Sequence, residues 1–221
     1  MSRQKLKRYA ELAGLPNVLV RPYDLRGRWR PHYFNNEHPL TLELACGKGE
    51  YTVELARRFP RQSFIGVDTK GDRLWKGATA AARENLINAA FIRGFIEELP
   101  GFFAPAEVSE IWIPFPEPHP KRAKGKRRLT SQRFLDCYYQ VLAPGGRIHL
   151  KTDDQALFDF TLKTLQTTGC TIHQVWEDLH CAVSEQDARA IKTTYERRYM
   201  LAGKNIKYLC FSISTDESPV T

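Results

Sequence analysis

Two glycines and two acids carry the first chemical signal in the sequence. In the stretch ELACGKGE at 43–50, Gly47 and Gly49 allow the backbone to turn tightly and to approach a ligand closely. Asp68 follows Glu43 by about 25 residues and ends a second apolar run, where a carboxylate can accept hydrogen bonds from both hydroxyls of a ribose. These residue types in this order predict a site for a cofactor that contains a nucleoside.

A third acid, Glu117, follows a hydrophobic stretch and precedes a run of cations. Prolines stand on both sides of it in IWIPFPEPHPK, and because proline fixes φ, they are predicted to set the direction of the carboxylate. The cations can neutralise the phosphates of a polynucleotide, which gives affinity but little sequence information. These cations are Lys121, Arg122, Lys124, Lys126, Arg127, Arg128 and Arg133.

Composition favours one globular domain that binds a polyanion. The chain has 221 residues, 42% of them hydrophobic and 26% charged, and a formal net charge of +8. A second basic cluster lies near the start, so nucleic acid is a more natural partner than a membrane surface. A span of ~18 apolar residues and the apolar middle of a secretory signal are both missing, so we expect a cytoplasmic protein. The five cysteines lack the spacing of a disulfide framework or a zinc site.

Apolar runs and helical patterns alternate along the chain from about residue 40. This alternation predicts a parallel sheet with helices on both faces. Near the end, CTIHQVWED and IKYLCFSIS predict two further strands that form an antiparallel hairpin at the sheet edge. We divide the chain into a basic N-terminal extension (1–38), a catalytic domain (39–215) and a frayed tail (216–221).

In such a sheet, ligands bind beyond the carboxyl ends of the strands, where the glycine turn, Asp68 and Glu117 are all predicted to lie. The spacing of Glu43, Ala45, Gly47 and Gly49 resembles the S-adenosyl-L-methionine loop of class I methyltransferases more than the GxGxxG of dehydrogenases. That superfamily usually has glycine where Ala45 stands. Alanine adds only a methyl group, so we expect cofactor binding to survive provided that the backbone at this position keeps a negative φ.

Four further motifs, PFPEPHPK, KRRLTS, HLKTD and TTYERRY, follow in order. With them the chain resembles bacterial tRNA (guanine-N7-)-methyltransferases from about residue 40 onwards. The resemblance implies a class I methyltransferase fold of the Rossmann-like α/β type, with a seven-stranded, mostly parallel sheet and an antiparallel C-terminal hairpin. It also implies the cofactor S-adenosyl-L-methionine, tRNA as partner, and 7-methylguanosine at variable-loop position 46 as product.

The resemblance also assigns roles to residues. Glu117 matches an aspartate that is catalytic and contacts the cofactor, while Glu43 and Asp68 match the cofactor carboxylates. Substrate binding is assigned to the positions that match Lys121, Asp153, Thr193, Thr194, Tyr195 and Glu196. The sequence departs from the family in having Glu at 117, His119 where Trp is usual, and Phe95 or Ile96 where an acid normally follows the third strand.

The proposed chemistry needs no strong base. Guanine N7 carries a free lone pair, so the enzyme must chiefly place N7 in line with the methyl carbon. Glu117, helped by Asp153, can hold the N1–H and N2–H₂ edge of the base and favour the purine cation that forms.

Several other interpretations stay open. Glu117 could cap a turn, Asp153 could be the N-cap of the next helix, TTYERRY could be an ordinary amphipathic helix, and the cations could form a solvated face. Two other functions also stay open: methylation of another RNA, such as rRNA, and RNA binding without catalysis.

Overall fold

The strand predicted immediately before the glycine turn lies at the centre of the sheet. In the computed structural model, which describes residues 3–181 and 183–213, all five residues of Leu40–Leu44 are buried. Burial on both faces is typical of a parallel strand that helices cover from each side, and here it includes the polar Thr41 and Glu43 as well as the three leucines. The predicted tail at 216–221 lies outside the described residues.

The sheet has eight strands in the order β1-β4-β3-β2-β5-β6-β8-β7. The strands are β1 (Val18–Val20), β2 (Leu40–Leu44), β3 (Ser63–Asp68), β4 (Ala89–Arg93), β5 (Val108–Pro114), β6 (Leu142–Thr152), β7 (Thr171–Trp176) and β8 (Lys207–Ser212). Among the strands in residues 3–181 and 183–213, β8 runs opposite to the other seven and pairs antiparallel with β6 and β7. The predicted class, with its antiparallel C-terminal pair, is confirmed. The count is eight rather than seven because β1, only three residues long, pairs with β4 at one edge.

Helices cover both faces of the sheet. They are α1 (Arg3–Leu12), α2 (Glu50–Arg58), α3 (Gly71–Arg83), α4 (Leu99–Phe102), α5 (Gln132–Tyr139), α6 (Gln155–Thr167) and α7 (Thr194–Leu201). Residues of α1, α2 and α3 form one hydrophobic cluster with one face of the sheet, and α4, α5 and α6 form a second cluster with the other. None of the helices within the described ranges has the length and apolar character that crossing a membrane requires.

The segment before β2 packs onto the body of the domain. A side chain at Gly71, the first residue of α3, would come within 2.8 Å of the Tyr9 ring and 2.9 Å of Leu12, so the glycine permits α1 to lie close against α3. Lys5 adds an ion pair with Asp72 at 3.6 Å. The first helix is therefore attached to the face of the sheet that carries α2 and α3.

The strand order determines where the loops meet. Strand β2 lies between β3 and β5, so the chain leaves it toward one side of the sheet and later returns to the other. At such a reversal the loops beyond the carboxyl ends of the strands separate and leave a crevice. The glycine turn after β2, the acid at the end of β3 and the proline-rich loop after β5 all lie at this edge.

Candidate active site

A cleft of about 610 Å³ opens at the carboxyl edge of β2, β3, β5 and β6. Its walls contain most of the residues predicted to bind the cofactor or the base: Glu43, Gly47, Asp68, Glu117, Asp153, Thr193 and Tyr195. The glycine turn and the acid after β5 thus share one crevice. Within the described chain, the other four residues of that set, Gly49, Lys121, Thr194 and Glu196, lie outside the cleft wall, as do the predicted phosphate contacts Lys124, Lys126, Arg127 and Arg128.

The glycine turn is fastened to Asp68. Gly47 has φ +55° and donates its backbone N–H to Asp68 Oδ2 at 2.9 Å, while Lys70 N–H donates to Asp68 Oδ1 at 2.8 Å. Each carboxylate oxygen keeps a free lone pair for a ligand hydroxyl. Gly49 has a different task, because a Cβ there would lie 2.4 Å from the Phe91 ring. Gly49 therefore lets the start of α2 pack closely on β4.

Ala45 corrects one expectation. The expectation at this position rested on a negative φ, but Ala45 has φ +53°, in the left-handed region. This conformation costs an L-residue roughly 1–2 kcal/mol because Cβ crowds the following carbonyl oxygen. The alanine is accommodated under strain, at a position that lines the cleft.

We predict that Ala45→Gly stabilises the protein. Relief of the left-handed strain exceeds the greater backbone entropy of glycine, so the free energy of unfolding should rise by about 0.5–1 kcal/mol. Urea denaturation measures this change. Ala80→Gly, in the middle of α3, is the control and should lose about 1 kcal/mol. An Ala45→Gly variant less stable than the wild type would contradict the strain argument.

Glu43 is buried beneath the turn. Its Oε2 accepts hydrogen bonds from Thr52 N–H at 2.7 Å and from the Thr52 hydroxyl. Burial raises the pKa of Glu43 from its ordinary 4.5 to about 8; the two Thr52 bonds oppose this shift, and the nearby Asp68 carboxylate adds to it. This pKa favours the protonated form of Glu43 at neutral pH.

This pKa makes the stability of the ligand-free protein depend on pH. Between about pH 4.5 and 8 the folded chain holds the Glu43 proton more tightly than the unfolded chain, so the free energy of unfolding falls as pH rises through this window. In Glu43→Gln this pH-dependent decrease in the free energy of unfolding, on the order of a few kcal/mol, should be absent. Denaturation at pH 5 and pH 8.5 measures it. Parallel pH profiles for the two proteins would rule out this role.

The loop that carries Glu117 has an unusual backbone. Phe115 and His119 both lie in the left-handed region, with φ +52° and +44°. Phe115 N–H donates to the carbonyl of Lys151 at 2.8 Å, which fixes the start of the loop to β6. Glu117 itself is exposed on the wall of the cleft. Strained backbone on both sides of a carboxylate indicates that its direction is imposed by the surrounding structure.

Arg128 holds the other end of this loop. Its guanidinium donates to the carbonyls of Pro118 at 3.0 Å and His119 at 3.2 Å and lies 4.3 Å from the centre of the Phe160 ring. Arg128 is only 8% exposed. It was predicted to contact phosphates, but because it is buried and two of its nitrogens donate to the loop, we assign it a positioning role. Lys121, Lys124, Lys126 and Arg127 are exposed and free to meet a polyanion.

Asp153 is not the N-cap of α6. Asp154 has that place, because its Oδ1 accepts the Leu157 N–H at 2.7 Å. Asp153 lines the cleft instead and forms an ion pair with Lys204. The capping interpretation of Asp153 is therefore wrong.

The first turn of α7 forms the wall facing the glycine turn. Thr193 is its N-cap and accepts the Glu196 N–H at 3.2 Å, while the Thr194 hydroxyl donates to Glu50 at 2.7 Å. Tyr195 projects into the cleft wall at 45% exposure, with Lys48 Nζ 5.6 Å from the centre of its ring. Thr193 and Tyr195 thus line the cleft, whereas Thr194 connects α7 to α2.

Glu196 differs from its prediction as a substrate ligand. It is 0% exposed and accepts hydrogen bonds from Lys151 Nζ at 2.9 Å and, through its other oxygen, pairs with His180 Nε2 at 2.8 Å. Lys151, also 0% exposed, donates in addition to the carbonyls of Arg189 and Ile191. This network fixes the segment before α7 against β6, so we assign Glu196 a positioning role.

Sequence reasoning missed Lys151 and His180. A usable signal for Lys151 was a lysine inside an apolar strand, since a buried lysine always needs a partner. The acid that the family pattern places after the third predicted strand, β4 in the structure, is not replaced by Glu97. Glu97 pairs with Arg133 at 3.3 Å and lies outside the cleft wall.

The architecture is the class I methyltransferase fold. The 16S rRNA methyltransferase KamB has the same fold, with a TM-score of 0.63 and 16% identity over 82% of this chain and 91% of that chain. Geranyl diphosphate C-methyltransferase from Streptomyces coelicolor, solved with S-adenosyl-L-homocysteine, also has this fold. Its TM-score is 0.55, with 15% identity over 97% of this chain and 85% of that chain.

Sequence relatives narrow the class to one family. A family model described as "Putative methyltransferase" matches residues 37–209. The tRNA (guanine-N(7)-)-methyltransferase of Bacteroides thetaiotaomicron is 42% identical over 96% of this chain and 87% of the relative. The tRNA (guanine-N(7)-)-methyltransferase of Porphyromonas gingivalis is 47% identical over 86% of this chain and 78% of the relative. The chain belongs to the tRNA (guanine-N(7)-)-methyltransferase family, which confirms the resemblance seen in its motifs.

Proposed function

We propose that the protein transfers a methyl group from S-adenosyl-L-methionine to N7 of guanine in tRNA, at variable-loop position 46. The observation that carries the proposal is the convergence of Gly47, Asp68 and Glu117 on one cleft of about 610 Å³. The family relatives support the substrate and the position of attack on the base. A tRNA substrate also implies a cytoplasmic location.

The residues of the cleft fit the cofactor. At Gly47 the nearest atom to an added Cβ would be a carbonyl oxygen 3.9 Å away, so the turn faces open space in which a ligand can lie against the backbone. Asp68 would accept the ribose hydroxyls, and Glu43 would supply negative charge near a cation once it loses its proton. S-adenosyl-L-methionine, when bound, supplies an electrophilic methyl group on a sulfonium.

The protein side chains then have to place the base. Glu117 accepts hydrogen bonds from the N1–H and N2–H₂ edge, and Asp153 on the adjacent loop shares this task. No residue has to remove a proton before transfer, because N7 carries its own lone pair. The two carboxylates also stabilise the positive charge that the purine acquires.

The proposal is tested by incubating the purified protein with methyl-labelled cofactor and unmodified tRNA. Label should appear as 7-methylguanosine in a nuclease digest, and borohydride reduction followed by aniline cleavage should cut the tRNA at position 46. A transcript with adenosine at that position is the control and should stay unlabelled. Methylation of ribosomal subunits in preference to tRNA would favour the rRNA alternative, and failure to bind S-adenosylhomocysteine would favour RNA binding without catalysis.

Arg127 and Arg128 form a matched pair for separating RNA contact from positioning. Arg127→Ala should weaken tRNA binding and reduce the log–log salt slope by about 0.7–0.9, the share of one phosphate contact. Arg128→Ala should leave that slope unchanged and lower kcat about tenfold or more, because the Glu117 loop loses its anchor. Arg128→Lys should restore part of kcat. A reduced salt slope in Arg128→Ala would contradict the positioning role.

A further inference from the structure

A second groove, of about 550 Å³, lies beside the active-site cleft. Helices α2 and α3 and the start of α7 form its walls, and Lys48 and Glu50 line both the groove and the cleft. The groove is rich in cations: Lys48, Arg57, Arg58, Lys76, Lys192 and Arg197. The groove is therefore continuous with the site of methyl transfer and strongly basic.

The two acids of the groove, Glu50 and Glu54, offset only part of its charge, because six cations line it. Glu50 accepts the Thr194 hydroxyl at 2.7 Å and also its N–H, while Glu54 is held by Arg57 and Arg58. Both carboxylates are thus already engaged by neighbouring groups of the groove.

Three cations stay available. Lys76, Lys192 and Arg197 are exposed, and none forms an ion pair or side-chain hydrogen bond with another residue in 3–181 or 183–213. Lys76 projects from α3, Lys192 precedes α7 and Arg197 lies within it. Cations on separate elements along a groove match a succession of phosphates better than a single anion.

We propose that this groove binds the phosphates of the tRNA strand that leads into the cleft. The inference rests on the proposed function. A guanine can reach Glu117 only if its nucleotide leaves the stack, and the strand must then be held against its tendency to restack. The exposed cations of the loop after β5 hold the strand on one side of the cleft, and the groove holds it on the other.

The test compares two triple variants with the same change in net charge. Lys76→Ala, Lys192→Ala and Arg197→Ala together remove the free cations of the groove. Arg61→Ala, Arg83→Ala and Lys163→Ala together remove exposed cations outside it. Binding of unmodified tRNA is measured between 50 and 300 mM salt, with affinity for S-adenosylhomocysteine as the check on folding.

The groove variant should lower the log–log salt slope by about 2 to 3 and raise the Kd for tRNA about tenfold or more at 0.15 M salt. Its affinity for S-adenosylhomocysteine should match the wild type. The control variant should bind tRNA like the wild type. Equal salt slopes for the two triple variants would overturn the groove proposal without affecting the proposed function. Absence of 7-methylguanosine in the assay of the wild type would instead overturn the proposed function.

Discussion

Glu117→Ala is expected to lower kcat by about 10²- to 10³-fold, equivalent to about 2.7–4 kcal/mol of transition-state stabilisation. The exposed carboxylate lines the cleft between two backbone anchors, so its removal leaves the base without its hydrogen-bond partner and the developing cation without a counter-charge. Single-turnover methylation with saturating tRNA and cofactor measures the effect. Because the loss falls on the chemical step, the Kd for tRNA should change less than threefold.

Two substitutions at Glu117 separate its charge from its shape. Glu117→Asp restores the residue of the family motif and should retain activity within about tenfold of the wild type. Glu117→Gln keeps one oxygen acceptor, loses the charge and should remain severely impaired. Glu177→Ala removes an exposed acid away from the cleft and serves as the control. Full activity in Glu117→Gln would exclude an electrostatic role.

Glu196→Ala is expected to destabilise the protein by about 3–5 kcal/mol, because it leaves the buried ammonium of Lys151 without its counter-ion. Both side chains are 0% exposed, and Glu196 also pairs with His180. Urea denaturation measures the loss. Removal of a surface ion pair by Glu97→Ala is the control and should cost less than about 1 kcal/mol.

The pH dependence of stability gives an independent check on this pair. Burial lowers the pKa of Lys151 from 10.5 to about 8, although the Glu196 carboxylate opposes the shift. The unfolded chain therefore holds this proton more tightly, and the free energy of unfolding falls as pH drops from about 10.5 to 8. Lys151→Met should flatten the profile in this window, and Lys151→Met with Glu196→Leu should be more stable than Glu196→Ala alone.

The fold could be predicted because its signals are local. Short apolar stretches that alternate with helical patterns, such as Leu40–Leu44 and the second half of Val108–Pro114, predict a parallel sheet covered by helices. The loops after these strands must then meet at one edge, which places Glu117 near the glycine turn. Strand β1 escaped prediction because three residues in a polar segment are too few to show a period.

The tasks of individual site residues depend on contacts that no local pattern encodes. Arg127 and Arg128 are adjacent and chemically identical, yet the chain turns one outward and the other onto Phe160. Glu196 belongs to a polar motif, but it is buried and binds Lys151, which lies 45 positions away in the sequence. The left-handed φ of Ala45 follows from closure of the turn on Asp68 and has no marker in the residue itself.

Lys151 contributes twice to the architecture of the cleft. Its backbone carbonyl accepts the N–H of Phe115, and its ammonium group binds Glu196 and the segment before α7. The loop that carries Glu117 and the segment before α7 are therefore both anchored to the same residue of β6. A substitution at Lys151 would remove the ammonium contacts that hold the α7 wall, whereas the backbone contact that holds the loop after β5 would remain, so the two walls can be altered separately.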